Sequence, residues 1–224
     1  MRLCILTRWL TGWALASGSL TAAQAQTTGA PVRTYSVKAD LVPMIAGGYH
    51  LSVEKLWGPA HRQALVITPQ LYHGNVQAVT SDLTDGRNVV RGYGLALQHR
   101  IYLHERTTAL EGFYIGYGPH YQHFELEFQA PGWQPEVAAN GLAYYEYRVR
   151  DQKETVDRYG GAVVVGGQFF LPDLPVFIDF YLGLGLRKSS SRATLPDHHY
   201  DSGMSDYGAG GPYVPAGFRV GLAW

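Results

Sequence analysis

Cys4 is the only thiol in this 224-residue chain, and it lies in a segment expected to be removed. A mature form without cysteine excludes disulfide scaffolding, thiol catalysis and thiolate metal sites. Long hydrophobic runs are missing too. No stretch approaches the roughly 20 apolar residues of a membrane-crossing helix, so any crossing of a bilayer has to be made by strands. Charge is scarce and balanced: charged residues make up 16% of the chain, with 18 basic and 18 acidic groups. The basic stripe that a nucleic-acid partner needs is absent.

What is present begins with a leader. Arg2 and Arg8 precede and enter the apolar stretch Trp9 to Leu20, and Ala23-Gln24-Ala25 supplies an A-x-A cleavage signal. Residues 1–25 therefore read as a secretory signal peptide, 26–34 as a short lead-in and 35–224 as one domain. Removing Arg2 and Arg8 from the 18 basic groups leaves 16 against 18 acidic ones, a net charge of two negative.

The mature segment alternates with period two. Val214, Ala216, Phe218, Val220, Leu222 and Trp224 share one face, with Pro215, Gly217, Arg219, Gly221 and Ala223 on the other. Val176, Ile178, Phe180, Leu182, Leu184 and Leu186 oppose Phe177, Asp179, Tyr181, Gly183, Gly185 and Arg187 in the same way. Tyr93 to Leu103 and Val163 to Leu171 repeat the pattern, and weaker strands are expected at Tyr35 to Val42, Gly48 to Leu56, Ala64 to His73 and Leu110 to Tyr121. A wholly apolar face opposed by glycine and charge is the pattern of a strand with hydrocarbon outside and a polar interior. The eight strands predict an all-β fold, an eight-stranded antiparallel transmembrane β-barrel with extended outward loops. A soluble lipocalin-like barrel is the rival, but its exterior would have to be built mostly of glycine.

Links alternate in length as such a barrel requires. His104 to Thr107 and Pro172 to Pro175 are short, Trp57 to Gln63 is moderate, and Gly74 to Asn88, Gln122 to Val156 and Ser189 to Pro212 are long. The first outward link, Pro43 to Gly47, is short. Within Gln122 to Val156 a further hairpin is expected, with its tip at Ala130 to Gly141. The apolar residues change from odd positions at Phe113 to Tyr117 to even ones at Phe124 to Phe128, which predicts a bulge near Pro119. Aromatics are expected in two interface girdles, with Trp57, Tyr102, Phe169, Phe170 and Trp224 at the periplasmic end and Tyr93, Tyr117, Tyr121 and Tyr159 at the outward end.

The blocks Val37-Lys-Ala-Asp-Leu41, Arg91-Gly-Tyr-Gly-Leu95, Glu111-Gly-Phe-Tyr-Ile-Gly-Tyr-Gly-Pro-His-Tyr121 and Gly217-Phe-Arg-Val-Gly-Leu222 resemble the small outer-membrane β-barrels of unassigned function of Bacteroidetes-type bacteria, which share OmpA and OmpX architecture. The resemblance spans the mature chain and brings no catalytic residues with it. Phe218, Val220, Leu222 and Trp224 resemble the terminal segment by which the outer-membrane assembly machinery recognises its clients.

Chemistry is sparse. The inward face collects Lys38, Asp40, Glu54, Gln98, Arg100, Gln168, Asp179, Arg187 and Arg219, which are expected to pair into a network filling the narrow interior. Arg100, Arg187 and Arg219 could alternatively line a narrow solute channel. His50, Ser52 and Glu54 share a face and resemble the constellation of lipid A deacylases, an alternative as a membrane lipid hydrolase. Asp197, His198, His199, Asp201 and Asp206 read as a solvated loop, as do Asp82, Asp85 and Gly86, and His120 and His123 should point to opposite faces; no metal or cofactor is expected. Trp133, Tyr144, Tyr145 and Tyr147 could form a carbohydrate platform. The resulting expectation is a Gram-negative outer-membrane protein, a non-enzyme with a structural, adhesive or surface-binding role. Its expected partners are outer-membrane lipids, the assembly machinery and a surface partner at the outward loops, and it is expected to be monomeric.

Overall fold

A strand whose two faces meet different solvents needs neighbours on both edges, and a closed ring supplies them without leaving an edge free. The computed structural model describes residues 33–45, 47–57, 62–75, 89–103, 110–172, 174–194 and 207–224. The leader and the groups Asp82, Asp85, Gly86 and Asp197, His198, His199, Asp201, Asp206 lie outside them. The elements are β1 (Tyr35–Asp40), α1 (Leu41–Ile45), β2 (Gly48–Trp57), β3 (Gln63–Asn75), β4 (Val89–Tyr102), β5 (Gly112–Val137), β6 (Ala143–Phe170), β7 (Val176–Ala193), β8 (Gly211–Tyr213) and β9 (Ala216–Ala223). Strands β1 to β7 pair in order and antiparallel; β9 pairs with both β7 and β1, closing a ring of eight.

Strand β8 continues the line of β9 along β7. The two are separated at Val214 and Pro215, where proline has no N–H for the ladder, yet its carbonyl still accepts from Gly183 N at 2.8 Å. The expected final strand is thus one line interrupted by proline.

Outside the ring, Leu51, Val53, Ile67, Leu95, Leu97, Ile115, Val163, Val165, Leu182, Leu184 and Leu222 are exposed, and Leu184 retains 72% of its accessible surface. These side chains form one apolar belt around the barrel. In water that belt would be an unburied patch far beyond what soluble proteins carry; in hydrocarbon it is at its free-energy minimum. The belt's one polar side chain on β4, His99, bonds Tyr117 Oη at 2.9 Å and stacks on Trp57. Aromatic clusters edge the belt: Tyr35 with Trp224, and Phe169 with Phe113 and Phe180.

Two expected girdle residues belong elsewhere. Tyr102 is 1% exposed and points inward, and Phe170 packs inside against the cluster at the base, the end where Tyr35 and Trp224 meet. Both are even-numbered, on the inward parity of β4 and β6, and burial overrides aromatic preference for the interface.

The expected bulge near Pro119 is absent. Strand β5 pairs residue for residue with β6 from Gly112↔Gln168 to Val137↔Ala143, with odd positions of β5 outside throughout. What changes is the solvent. Up to Tyr121 the odd side chains meet the apolar belt; above it His123, Glu125 and Glu127 face outward while Phe124, Leu126 and Phe128 are buried inside. The wall crosses from a lipid-facing barrel into a water-facing one without changing register. A hydrocarbon span takes about 9–11 tilted residues, so strands of 26 and 28 residues project far beyond it. The hairpin tip is confined to 138–142, where Ala138 N donates to Leu142 O and Gly141 takes a φ of 85°.

The wall is uneven. Strand β1 ends at Asp40, opposite Arg219, so Ala216 to Phe218 have a strand partner only in β7. Helix α1 covers that flank, packed against β9 and β2, with Ile45 exposed outward. Among the described residues no helix is long and apolar enough to cross a membrane.

Candidate functional site

Inward-facing positions of the eight strands stack into four layers from base to top. The base is an apolar seal made by Leu56, Ala64, Tyr102, Leu110, Tyr114, Val164, Phe177 and Ala223. Inward glycines make room for it: a Cβ on Gly221 would collide with the Phe177 ring, and one on Gly166 with the Tyr114 ring. Small residues and aromatics on adjacent strands therefore interlock across the pleat.

The second layer is ionic. Lys38 on β1 donates to Glu54 of β2 at 2.7 Å, to Gln168 of β6 at 3.0 Å and to Asp179 of β7 at 3.0 Å, using all three ammonium protons. Arg100 of β4 donates Nη1 to Asp179 at 3.0 Å and Nε to Gln98 at 2.6 Å, and its guanidinium lies 4.0 Å from the centre of the Tyr114 ring. Arg219 of β9 donates to Asp40 at 3.1 Å and lies over the Tyr181 ring at 3.9 Å. Tyr102, Tyr114 and Tyr181 donate hydroxyls to Glu54, Asp179 and Asp40 at 3.0, 2.6 and 2.8 Å. Three cations thus meet three carboxylates, all buried. Each charged group of this layer lies beside one of opposite sign, and loss of one member leaves the others buried without their partner.

Above this plug lies a chamber of about 250 Å³ lined by His50, Gln70, Gln98, His120, Gln122, Arg158, Tyr181, Arg187, Tyr213 and Arg219. Arg158 donates twice to Gln122, at 2.8 and 2.6 Å, and Gln122 donates on to Gln70 and Tyr72, each at 2.7 Å. Arg187, grouped by its face with the network below, stands apart from it: its guanidinium is 5.0 Å from the centre of the Tyr213 ring. The chamber is roofed by Val90, Phe124, Leu126, Phe128, Val156 and Tyr207, with Phe124 against Tyr72 and beneath it Arg158.

His50, Ser52 and Glu54 all face inward but do not form a relay. Ser52 Oγ bonds Thr68 Oγ1 at 2.8 Å, His50 Nε2 bonds Tyr72 Oη at 2.8 Å, and Glu54 is held by Lys38, Tyr102 and Ser36. His120 faces the chamber, whereas His123 faces out and bonds Asp157 at 2.8 Å. Above the belt, hydrogen bonds from His123 and Tyr121 hold the exposed Asp157 carboxyl below its ordinary value. Among the described residues no three His, Cys, Asp or Glu side chains are placed to hold a metal.

On the hairpin, Trp133 and Tyr147 are cross-strand partners with rings 5.1 Å apart, and Tyr145 lies next to them on the same face. Tyr144 is on the opposite face. Phe218, Val220 and Leu222 lie on the outer face of β9, and Trp224 follows just past its end. Arg158, Gln70 and Gln122 were not singled out in the sequence, although Arg158 shares its parity with Ala162 and Val164.

Closed ring, exposed apolar belt and polar, filled interior together define an eight-stranded membrane-type β-barrel. Among solved structures the chain is similar to Acinetobacter baumannii CarO, at 12% identity over 87% of this chain and 98% of that one with a TM-score of 0.40. It is similar also to CarO2 of the same organism, at 10% identity, 86% and 98% coverage and a TM-score of 0.41. A third is the N-terminal β-barrel domain of Pseudomonas aeruginosa OprF, at 13% identity, 85% and 97% coverage and a TM-score of 0.32. No protein-family model and no curated protein matches the chain.

Proposed function

We propose that the chain is an integral outer-membrane β-barrel of a Gram-negative bacterium, exported with a cleaved leader, with its base in the periplasm. Its barrel acts as an occluded scaffold, and its work is done by the surface that the long β5–β6 hairpin carries outward. The observation behind this reading is the pairing of a lipid-type belt with an interior whose six buried charges neutralise one another across the lumen. A rigid base holding a projecting two-stranded wall with exposed Trp133, Tyr145 and Tyr147 suits binding at the cell surface in a structural or adhesive role.

Membrane fractionation with heat-modifiable gel migration tests the placement. Recovery with the outer membrane and a boiling-dependent mobility shift are expected; a mature form in the aqueous fraction would overturn it. Planar-bilayer recording tests the occlusion, and no stable pore is expected. A persistent conductance altered by Arg187→Ala would replace the scaffold with a channel. Lipid-hydrolysing activity abolished by Ser52→Ala would replace it with an enzyme. Truncating the hairpin across 129–149 should remove surface binding while leaving the heat-modifiable barrel.

A further inference from the structure

The chamber above the plug carries charge that no carboxylate among the described residues balances. Below it the count closes, with Lys38, Arg100 and Arg219 against Glu54, Asp179 and Asp40. Arg158 and Arg187 are left over. Neither pairs with a carboxylate among the described residues; Arg158 is held by a neutral amide and Arg187 by an aromatic face. Donors are left over as well. Arg187 Nε is buried without an acceptor, as is Arg219 Nη1 beside the same chamber, which lies 3.6 Å from an Asp179 carboxylate oxygen. Ser189 Oγ, at the next inward position above Arg187 on β7, is also buried without a partner.

We propose that this chamber binds a dianionic phosphate group. Two uncompensated guanidiniums match a charge of about two negative, which a phosphate monoester or inorganic phosphate carries near neutral pH. Guanidinium forks fit phosphate oxygens, and the free Arg187 Nε and Arg219 Nη1 give such a group directional donors at the chamber wall. A volume near 250 Å³ admits a phosphate with a small substituent and excludes a large solute. His50, His120, Gln70 and Gln98 complete a wall with no carboxylate facing the centre. The way in is the flank of the ring that helix α1, rather than a strand, covers, so entry requires the helix to give way. Pro43 of α1, Pro215 and the first residue of β9, Ala216, line the chamber where β9 lacks a strand partner on that side. That flank lies toward the upper edge of the belt, so the phosphate could be a free ion or that of a lipid headgroup.

The test titrates the refolded full-length mature chain, in detergent micelles at low salt, with inorganic phosphate followed by calorimetry. Saturable one-site binding is expected, weakened at least tenfold by Arg187→Gln and by Arg158→Gln and unchanged by Arg91→Gln, an exposed outward arginine on β4. Heat-modifiable migration confirms that each variant is folded. A second arm repeats the titration with micelles containing phosphatidic acid. Competition between the two, or phosphatidic acid binding alone that is lost in both chamber variants, assigns the site to a headgroup. Inorganic phosphate binding without competition assigns it to the free ion. No saturable binding in either arm, or binding that both chamber variants retain, would overturn the proposal and leave a water-filled chamber; tighter binding of succinate than of phosphate would overturn the phosphate assignment.

Discussion

Lys38 Nζ lies 3.0 Å from Asp179 Oδ2 across the inside of the barrel, although 141 residues separate the two in the chain. The pair ties the first strand to the seventh, and Glu54 and Gln168 on the same ammonium extend the tie to the second and sixth. Removing the cation alone should leave Glu54 and Asp179 underpaired in a buried site. Lys38→Met is expected to destabilise the barrel by about 3–5 kcal/mol, read from urea unfolding in micelles. Glu54→Gln added to that variant should recover part of the loss.

The belt makes a prediction that a water-soluble barrel would reverse. Leu182 is already 56% exposed, so in water an arginine there would be tolerated within about 0.5 kcal/mol. In hydrocarbon Leu182→Arg should cost about 2–4 kcal/mol, whereas Glu125→Arg on the charged rim should be nearly silent. Unfolding of both variants in lipid vesicles separates the two cases.

Strand identity and facing were legible because period-two alternation is a local property, and the lipid side showed itself by glycine on the opposite face. What occupied the interior was not legible. Tyr102 was assigned to an interface by residue type, yet its even position on β4 puts it on the inward parity, against Glu54. The switch from odd to even apolar residues at Phe124 was read as a bulge, because the sequence records where the grease is without recording which solvent lies outside. Arg158 lies between the long link ending at Val156 and the strand expected from Val163, so no face was assigned to it, and the separation of Arg187 from the plug depends on the stagger between β6, β7 and β8, which alternation does not encode.

Phe124 tests the inversion above the belt. It is fully buried among Tyr72, Tyr207 and Arg158, inside a wall whose outer face meets water. Phe124→Ala should cost about 3–5 kcal/mol, with faster amide exchange at Leu126 and Val156 and little change around Lys38. Equal loosening at Lys38 would show that the extension and the spanning barrel unfold as one unit.

Asp157 gives a pH prediction. The hydrogen bonds from His123 and Tyr121 favour its charged form, so its midpoint should lie below the ordinary 3.8. The sign follows: the stability it supplies is complete above that value and is lost as pH falls through the native midpoint. A carboxyl-carbon NMR titration should show the depressed midpoint, and His123→Ala should move it upward. A midpoint unaffected by that change would remove the His123 contact from the account.

The absence of cysteine after the leader permits one direct measurement of where the belt lies. A nitroxide carried on Leu182→Cys, and in a second variant on Glu125→Cys, is placed in vesicle-reconstituted mature protein, and its collisions with oxygen and with a water-soluble nickel chelate are compared. The Leu182 site should be open to oxygen and closed to nickel, with the Glu125 site reversed. Free access of nickel to Leu182 would mean that water, not lipid, surrounds the aliphatic belt, and the membrane barrel would be contradicted.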